Sequence, residues 1–339
     1  MPMLREEVLR QAEERMGQLT KPPRSLGRLE EVALRLAGIQ GRLKPELGPG
    51  AVVVAAADHG VVAEGVSAYP QEVTRQMVLN FLRGGAAINQ FALVADCRVL
   101  VLDVGVKGEL PEHPRLLRRK VREGTGNLAA EPAMSREEAE RALEAGREAA
   151  RQAVEEGATL LAAGDMGIGN TTAAAALTAA LLGLPPEAVV GRGTGIGEEG
   201  LRRKREAVAR ALARLQPGLD PLGVAAEVGG LELVAIAGVY LEGYRAGLPL
   251  VLDGFPVSAG ALLAWRLEPG VREHLFAGHL SREPGHRAVL EALGLWPLLD
   301  LDLALGEGTG AVLAMPLLRA AARILHMATF AEAGVSGPI

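Results

Sequence analysis

Residues 162–183 read AAGDMGIGNTTAAAALTAALLG. A run of small apolar residues ends in an acid, Asp165. A glycine turn follows, then an alanine-rich helix from Thr171. A strand, a tight turn and a helix in that order make one half of a βαβ unit, and the backbone amides at the start of the helix form a natural anion site. The turn is not a triphosphate loop, because no Gly-Lys-Ser/Thr closes it. It is also a poor dinucleotide fingerprint. Thr172 occupies the position of the third glycine, and no acid-tipped strand follows at the required distance. Taken alone, the segment reads equally well as a strand-to-helix turn capped by Asn170 or Thr171.

The same alternation extends outward in both directions. AVVVAAADHG (51–60), RVLVLDVGV (98–106), ATLLAAGD (158–165) and LPLVLDG (248–254) are short buried strands. Between them lie helical stretches such as SREEAERALEAGREAARQAVEEG (135–157), opened by a capping box of Ser135 and Glu138. Apolar strands alternating with helices predict an α/β fold with a Rossmann-like parallel sheet and helices on both faces. Ligands in such folds bind beyond the carboxyl ends of the strands. That rule selects Asp58-His59-Gly60, Asp103-Val104-Gly105, Gly164-Asp165, Asp253-Gly254 and Gly278-His279. Acid beside glycine is ordinary turn chemistry at one loop; at four strand ends of one sheet it favours a site. The first 45 residues read as two helices broken at TKPPRSLG, where Pro22 and Pro23 force an extended segment.

Composition narrows the function. The 339-residue chain is 49% hydrophobic, so a sizeable core is available. Aromatic residues are only 3%, the net charge is −5 and no basic tract is present, which argues against nucleic acid as a partner. No apolar run is long enough to cross a membrane, and the charged amphipathic N-terminus is no signal peptide. A soluble, cytoplasmic protein is expected. The lone Cys97 opens an apolar strand and reads as a buried structural thiol. His59, His279 and His286 match no metal-ligand spacing and suit turn or hydrogen-bonding roles, so neither a metal nor another cofactor is expected.

Further glycine-rich loops repeat the chemistry of the first. GRGTGI (191–196) surrounds Arg192, GEGTGA (306–311) puts Glu307 before another helix, GHLSREPGH (278–286) offers Ser281 and Arg282, and REGTGNLAAEPAM (122–134) offers Gly124 to Asn127. Several such loops, with no P-loop lysine and no acid pair for magnesium, suggest a monophosphate rather than a triphosphate ligand.

In one order, the chain carries DHGV…EGVSAYPQEVT, GDMGIGNTT, GRGTGI, EVGGLEL, DGFPVSAGA and LGEGTGAVLAMPLL. This ordered set resembles the nicotinate-nucleotide–dimethylbenzimidazole phosphoribosyltransferases of cobalamin lower-ligand assembly. The likeness runs from TKPPRSLGRLE to AGVSG, nearly the whole chain. It implies transfer of the phosphoribosyl group of nicotinate mononucleotide to 5,6-dimethylbenzimidazole, giving α-ribazole 5′-phosphate and nicotinate. It implies a sheet of about six strands in a large domain (46–311), a small helical domain from both termini (1–45 and 312–339), and a homodimer whose partner helps enclose each site.

The resemblance also assigns residues. Glu307 is the expected general base. Phosphate and ribose contacts are expected from Gly167, Gly169, Asn170, Thr171, Ser281 and the Gly308, Thr309 and Gly310 segment, with Asp58 and Arg192 also near the substrates. Ser67, Tyr69, Gln76 and Met77 are candidates for an apolar slot that holds the acceptor ring, although helix core is the alternative reading for Met77 and Phe81 and the better one for Phe81. Lys204 is implied as a site residue, whereas its pattern alone reads as an exposed helix charge. Asp165 departs from the glutamate common in the family. Two other readings use the same scaffold: a nucleoside phosphorylase or N-ribosyl hydrolase, and a non-catalytic nucleotide-binding regulator.

Overall fold

The apolar runs each become a strand of a single parallel sheet in a computed structural model that describes residues 5–337. The strands are β1 (Gly50–Ala57), β2 (Cys97–Gly105), β3 (Leu116–Arg118), β4 (Leu160–Met166), β5 (Leu250–Leu252), β6 (Leu275–His279) and β7 (Pro297–Leu299). Their order is β3-β2-β1-β4-β5-β6-β7, and every pairing is parallel. The order reverses between β1 and β4, which makes the crevice beyond their carboxyl ends the expected binding position. The sheet has one strand more than expected. β3 and β7 are three-residue edge strands, too short to show a period.

All eight residues of β1 are buried, and alternate side chains enter two different cores. Val53 and Ala55 share a core with helices Arg136–Glu155, Leu231–Arg245, Asn170–Leu182 and Phe255–Leu267 on one face. Val52 and Val54 share the core on the other face with helices Glu6–Met16, Arg28–Gln40, Ala87–Val94 and Thr309–Ile324. The terminal helices therefore share their core with one face of the sheet. The capping box forms: Glu138 N donates to Ser135 Oγ at 3.1 Å, and Ser135 N donates to Glu138 Oε2 at 2.8 Å. Residues 1–4 of the predicted N-terminal helix lie outside the described residues. Among the described residues, no helix is long and apolar enough to cross a membrane.

Candidate active site

Two helices start at the carboxyl ends of the central strands, one on each face of the sheet. Helix Asn170–Leu182 follows β4, and helix Thr309–Ile324 follows the GEGTGA loop. Each is preceded by a left-handed glycine, Gly169 at φ 94° and Gly308 at φ 92°, a conformation glycine adopts at no steric cost. The GEGTGA loop packs hard against β4. A Cβ on Gly164 would collide with the Glu307 carbonyl, so the close approach requires glycine there.

The two helix starts use their amides differently. In the first, Asn170 N donates to Gly167 O and Thr172 N to Gly169 O, while the Gly169 and Thr171 amides make no hydrogen bond within the described residues. In the second, the fully buried Asp253 carboxylate, just beyond β5, takes the available donors. Gly308 N donates to Oδ2 at 3.0 Å, and Gly310 N and Ala311 N donate to Oδ1 at 2.7 and 3.1 Å. Thr309 turns inward as well, its N and Oγ1 both donating to Gly306 O. The Gly308 and Gly310 amides expected to grip a ligand are therefore already bound inside the protein.

Glu307 stands between Gly306 and Gly308, 6% exposed and itself left-handed at φ 65°. Such backbone costs a non-glycine residue on the order of 1 kcal/mol or more and concentrates at functional sites. Among the described residues its carboxylate makes one hydrogen bond, from Ile88 N to Oε2 at 3.4 Å. Burial, and secondarily Asp253, push its carboxyl above the usual range. Asp165 lies beside the same loop. Its Oδ2 accepts from Asn170 Nδ2 at 2.8 Å, and its Oδ1 is buried without a partner. Burial first, then Asp253, hold Asp165 well above the ordinary carboxylate range.

From Thr171 the site continues to Lys204, which is 1% exposed. Pattern alone makes it a surface charge; the structure makes it a buried ammonium. Its Nζ donates to Thr171 Oγ1 at 2.8 Å and to Gly191 O at 3.1 Å. Burial pushes it down to about 8, against the opposing charge of Glu283. Glu283 Oε1 accepts from Gly193 N at 2.9 Å, and Glu283 N donates to Ser281 Oγ at 3.4 Å. Ser281 N donates to His286 Nδ1 at 2.9 Å. Burial, with His279 next, pushes His286 down to about 3, so it is a neutral acceptor.

One connected arc thus holds Glu307, Asp165, Asn170, Thr171, Lys204 and Ser281. Other expected residues fall outside it. Arg192 ties its own loop, bonding Ile196 O and the Glu198 carboxylate. Asp58 receives the Lys107 amide at 2.7 Å and so ties the turn after β1 to the one after β2, whereas Asp103 receives the amides of Gly105 and Val106 and holds its own turn. Gly167 is required for packing, since a Cβ there would collide with the Ala57 carbonyl. Ser67 and Tyr69 make a local turn contact, and the Tyr69 side chain is exposed. Gln76 lines a cavity of about 260 Å3 together with Asp58 and Lys107. Met77 is half-buried against the core beneath the terminal helices, and Phe81 is fully in that core. The Gly124–Asn127 loop braces β1, with Thr125 N on Asp58 O and Gly60 N on Thr125 O. Cys97 is partly buried and its thiol is pushed up to about 12 by burial, which suits an inert structural role.

Three residues lie in marked segments of the sequence that do not themselves single them out as site residues. Asp253 is visible there only as a strand-end acid. Glu283 is hidden inside GHLSREPGH. Glu232, in EVGGLEL, forms a fully buried pair with His59 at 2.9 Å beneath the glycine turn. Among the described residues, no three His, Cys, Asp or Glu side chains are grouped to hold a metal ion.

The chain matches the model of a phosphoribosyltransferase family over residues 1–335. It is 86% identical over 330 residues to the nicotinate-nucleotide–dimethylbenzimidazole phosphoribosyltransferase of Thermus thermophilus, covering 97% of this chain and 98% of that protein. Enzymes of the same name from Chromobacterium violaceum and Chloroflexus aggregans are 56% and 54% identical, each over 96% of this chain and 95% and 93% of their own lengths. The crystal structure of CobT from Thermus thermophilus superposes with a TM-score of 0.97 at 85% identity, covering 98% of this chain and 100% of that one.

Proposed function

Because the chain belongs to the nicotinate-nucleotide–dimethylbenzimidazole phosphoribosyltransferase family, we propose that it moves the phosphoribosyl group of nicotinate mononucleotide to 5,6-dimethylbenzimidazole, with Glu307 as general base. The observation that carries the role of Glu307 is its placement. It is a buried carboxylate in a strained loop, with one internal hydrogen bond, beside the helix start whose amides are open.

The chemistry asks for one base. As the glycosidic bond breaks, its electron pair neutralises the pyridinium nitrogen, and nicotinate leaves without a proton. The bare nitrogen of the acceptor forms the new bond to C1′ from the opposite face, giving the α product in one displacement. The acceptor ring becomes cationic, its remaining N–H becomes acidic, and that proton passes to the Glu307 carboxylate. The same negative charge stabilises the cation as it develops. A glycosidase needs a second carboxyl to protonate its leaving oxygen; this reaction does not. The phosphate falls, in this reading, on the open Gly169 and Thr171 amides, with Lys204 and Ser281 beside them. A homodimer is part of the proposal, and light scattering on the purified chain tests it.

The test incubates the protein with nicotinate mononucleotide and 5,6-dimethylbenzimidazole in EDTA and follows α-ribazole phosphate. Turnover is expected, and Glu307→Gln lowers kcat about 100- to 10,000-fold while remaining folded and able to bind the donor. Free ribose phosphate without base transfer contradicts the transferase reading. A wild-type rate in Glu307→Gln removes the assigned base.

A further inference from the structure

The proposed chemistry makes no use of Asp253, a buried acid at the end of β5. Asp253 is 0% exposed, and its two oxygens accept three amides of one helix start, those of Gly308, Gly310 and Ala311. Gly308 is bonded directly to Glu307. The neighbourhood leaves this loop little room to move. The Glu307 carbonyl lies against Gly164, where no Cβ fits. Gly310 lies against the His279 ring, again with no room for a Cβ, and His279 Nε2 stands 3.4 Å from Asp253 Oδ1. Glu307 sits in backbone that an isolated chain would avoid, so something outside the loop must hold it there.

We infer that Asp253 is a positioning residue, whose carboxylate fills the start of helix Thr309–Ile324 and fixes the left-handed turn that presents the Glu307 carboxylate to the site. A charge-assisted bond to a backbone amide is short and directional, and three of them from one side chain define a loop more tightly than any of its own contacts. The acid comes from a different strand, so it also sets the loop relative to the sheet. This inference rests on the reading of Glu307 as the base.

The test is Asp253→Asn, which keeps size and one acceptor but turns an N–H toward donors. Near-attack geometry is sensitive to displacements of about 1 Å, which cost on the order of 100-fold. The expected result is a kcat loss of about that size, with KM for nicotinate mononucleotide changed less than about threefold. In a Glu307→Gln background the same substitution adds nothing, because a residue that acts through the base has nothing left to position. An unchanged kcat in folded Asp253→Asn, a loss confined to KM, or losses that multiply in the double variant overturn the inference. Hydrogen exchange on the unaltered enzyme tests the same point should the variant fail to fold. The Gly308, Gly310 and Ala311 amides should exchange slowly before and after nicotinate mononucleotide is added; fast exchange in the substrate-free enzyme overturns the inference. Wild-type turnover in Glu307→Gln refutes the base itself, a result separate from the exchange readout on the Asp253 bonds.

Discussion

The starts of helices Asn170–Leu182 and Thr309–Ile324 have nearly the same backbone, a left-handed glycine followed by a threonine-containing first turn. Each lies close to a buried aspartate. The difference is where that aspartate points. Asp253 gives its oxygens to backbone amides and so fills the second helix start. Asp165 gives an oxygen to the Asn170 side chain and leaves the Gly169 and Thr171 amides open. A helix N-terminus carries about half a positive charge for whichever anion reaches it. In the proposed function, one end uses that charge to hold the loop of Glu307, and the other keeps it for the phosphate of the donor. Similar glycine motifs thus do opposite work.

Removing the cation beside the open end is the largest perturbation of this contrast that leaves Glu307 in place. Lys204→Met should raise KM for nicotinate mononucleotide about 10- to 100-fold, the worth of one charge-assisted hydrogen bond, with a smaller effect on kcat. Since Lys204 is pushed down to about 8, the wild-type enzyme should lose donor affinity as the pH rises through that value, and Lys204→Met should not. Steady-state kinetics between pH 6.5 and 9.5, roughly 1.5 units either side of that value, check both; an equal KM in the variant closes the open end as a phosphate site.

A smaller effect is expected from Asp165→Asn. Burial raises the Asp165 carboxyl well above its usual range, so the folded protein favours the protonated form. The linked stability is full at low pH and is lost as pH rises through the folded-state value. An asparagine side chain cannot ionise. The variant should therefore melt near wild type at acid pH and above it by about 2 °C or more at alkaline pH. A melting temperature that falls below wild type as the pH rises would mean that the ionised carboxylate is the stabilising form.

Much of the fold was legible because its signals are local. Runs such as AVVVAAADHG and RVLVLDVGV announce buried parallel strands, and Ser135 with Glu138 announces a helix start. The edge strands at Leu116–Arg118 and Pro297–Leu299 are set by pairing with β2 and β6, which no three-residue pattern carries. The site divides the same way. Glycine turns at Gly167 to Gly169 and Gly306 to Gly310 are visible in sequence. Which of them is filled is decided by Asp253, 55 residues from Gly308, and only the sheet brings the two together. Lys204 was unreadable for a related reason. In EEGLRRKREAV it is one charge among many, and its burial comes from Thr171, Gly191 and Glu283, all on other elements.

The most direct test of the contrast is a crystal structure of Glu307→Gln with nicotinate mononucleotide bound. The expected result is a phosphate at the Gly169 and Thr171 amides beside Lys204, with Asp253 still accepting from Gly308 and Gly310. A phosphate seated on the Gly308 and Gly310 amides, with Asp253 turned away from them, would contradict it.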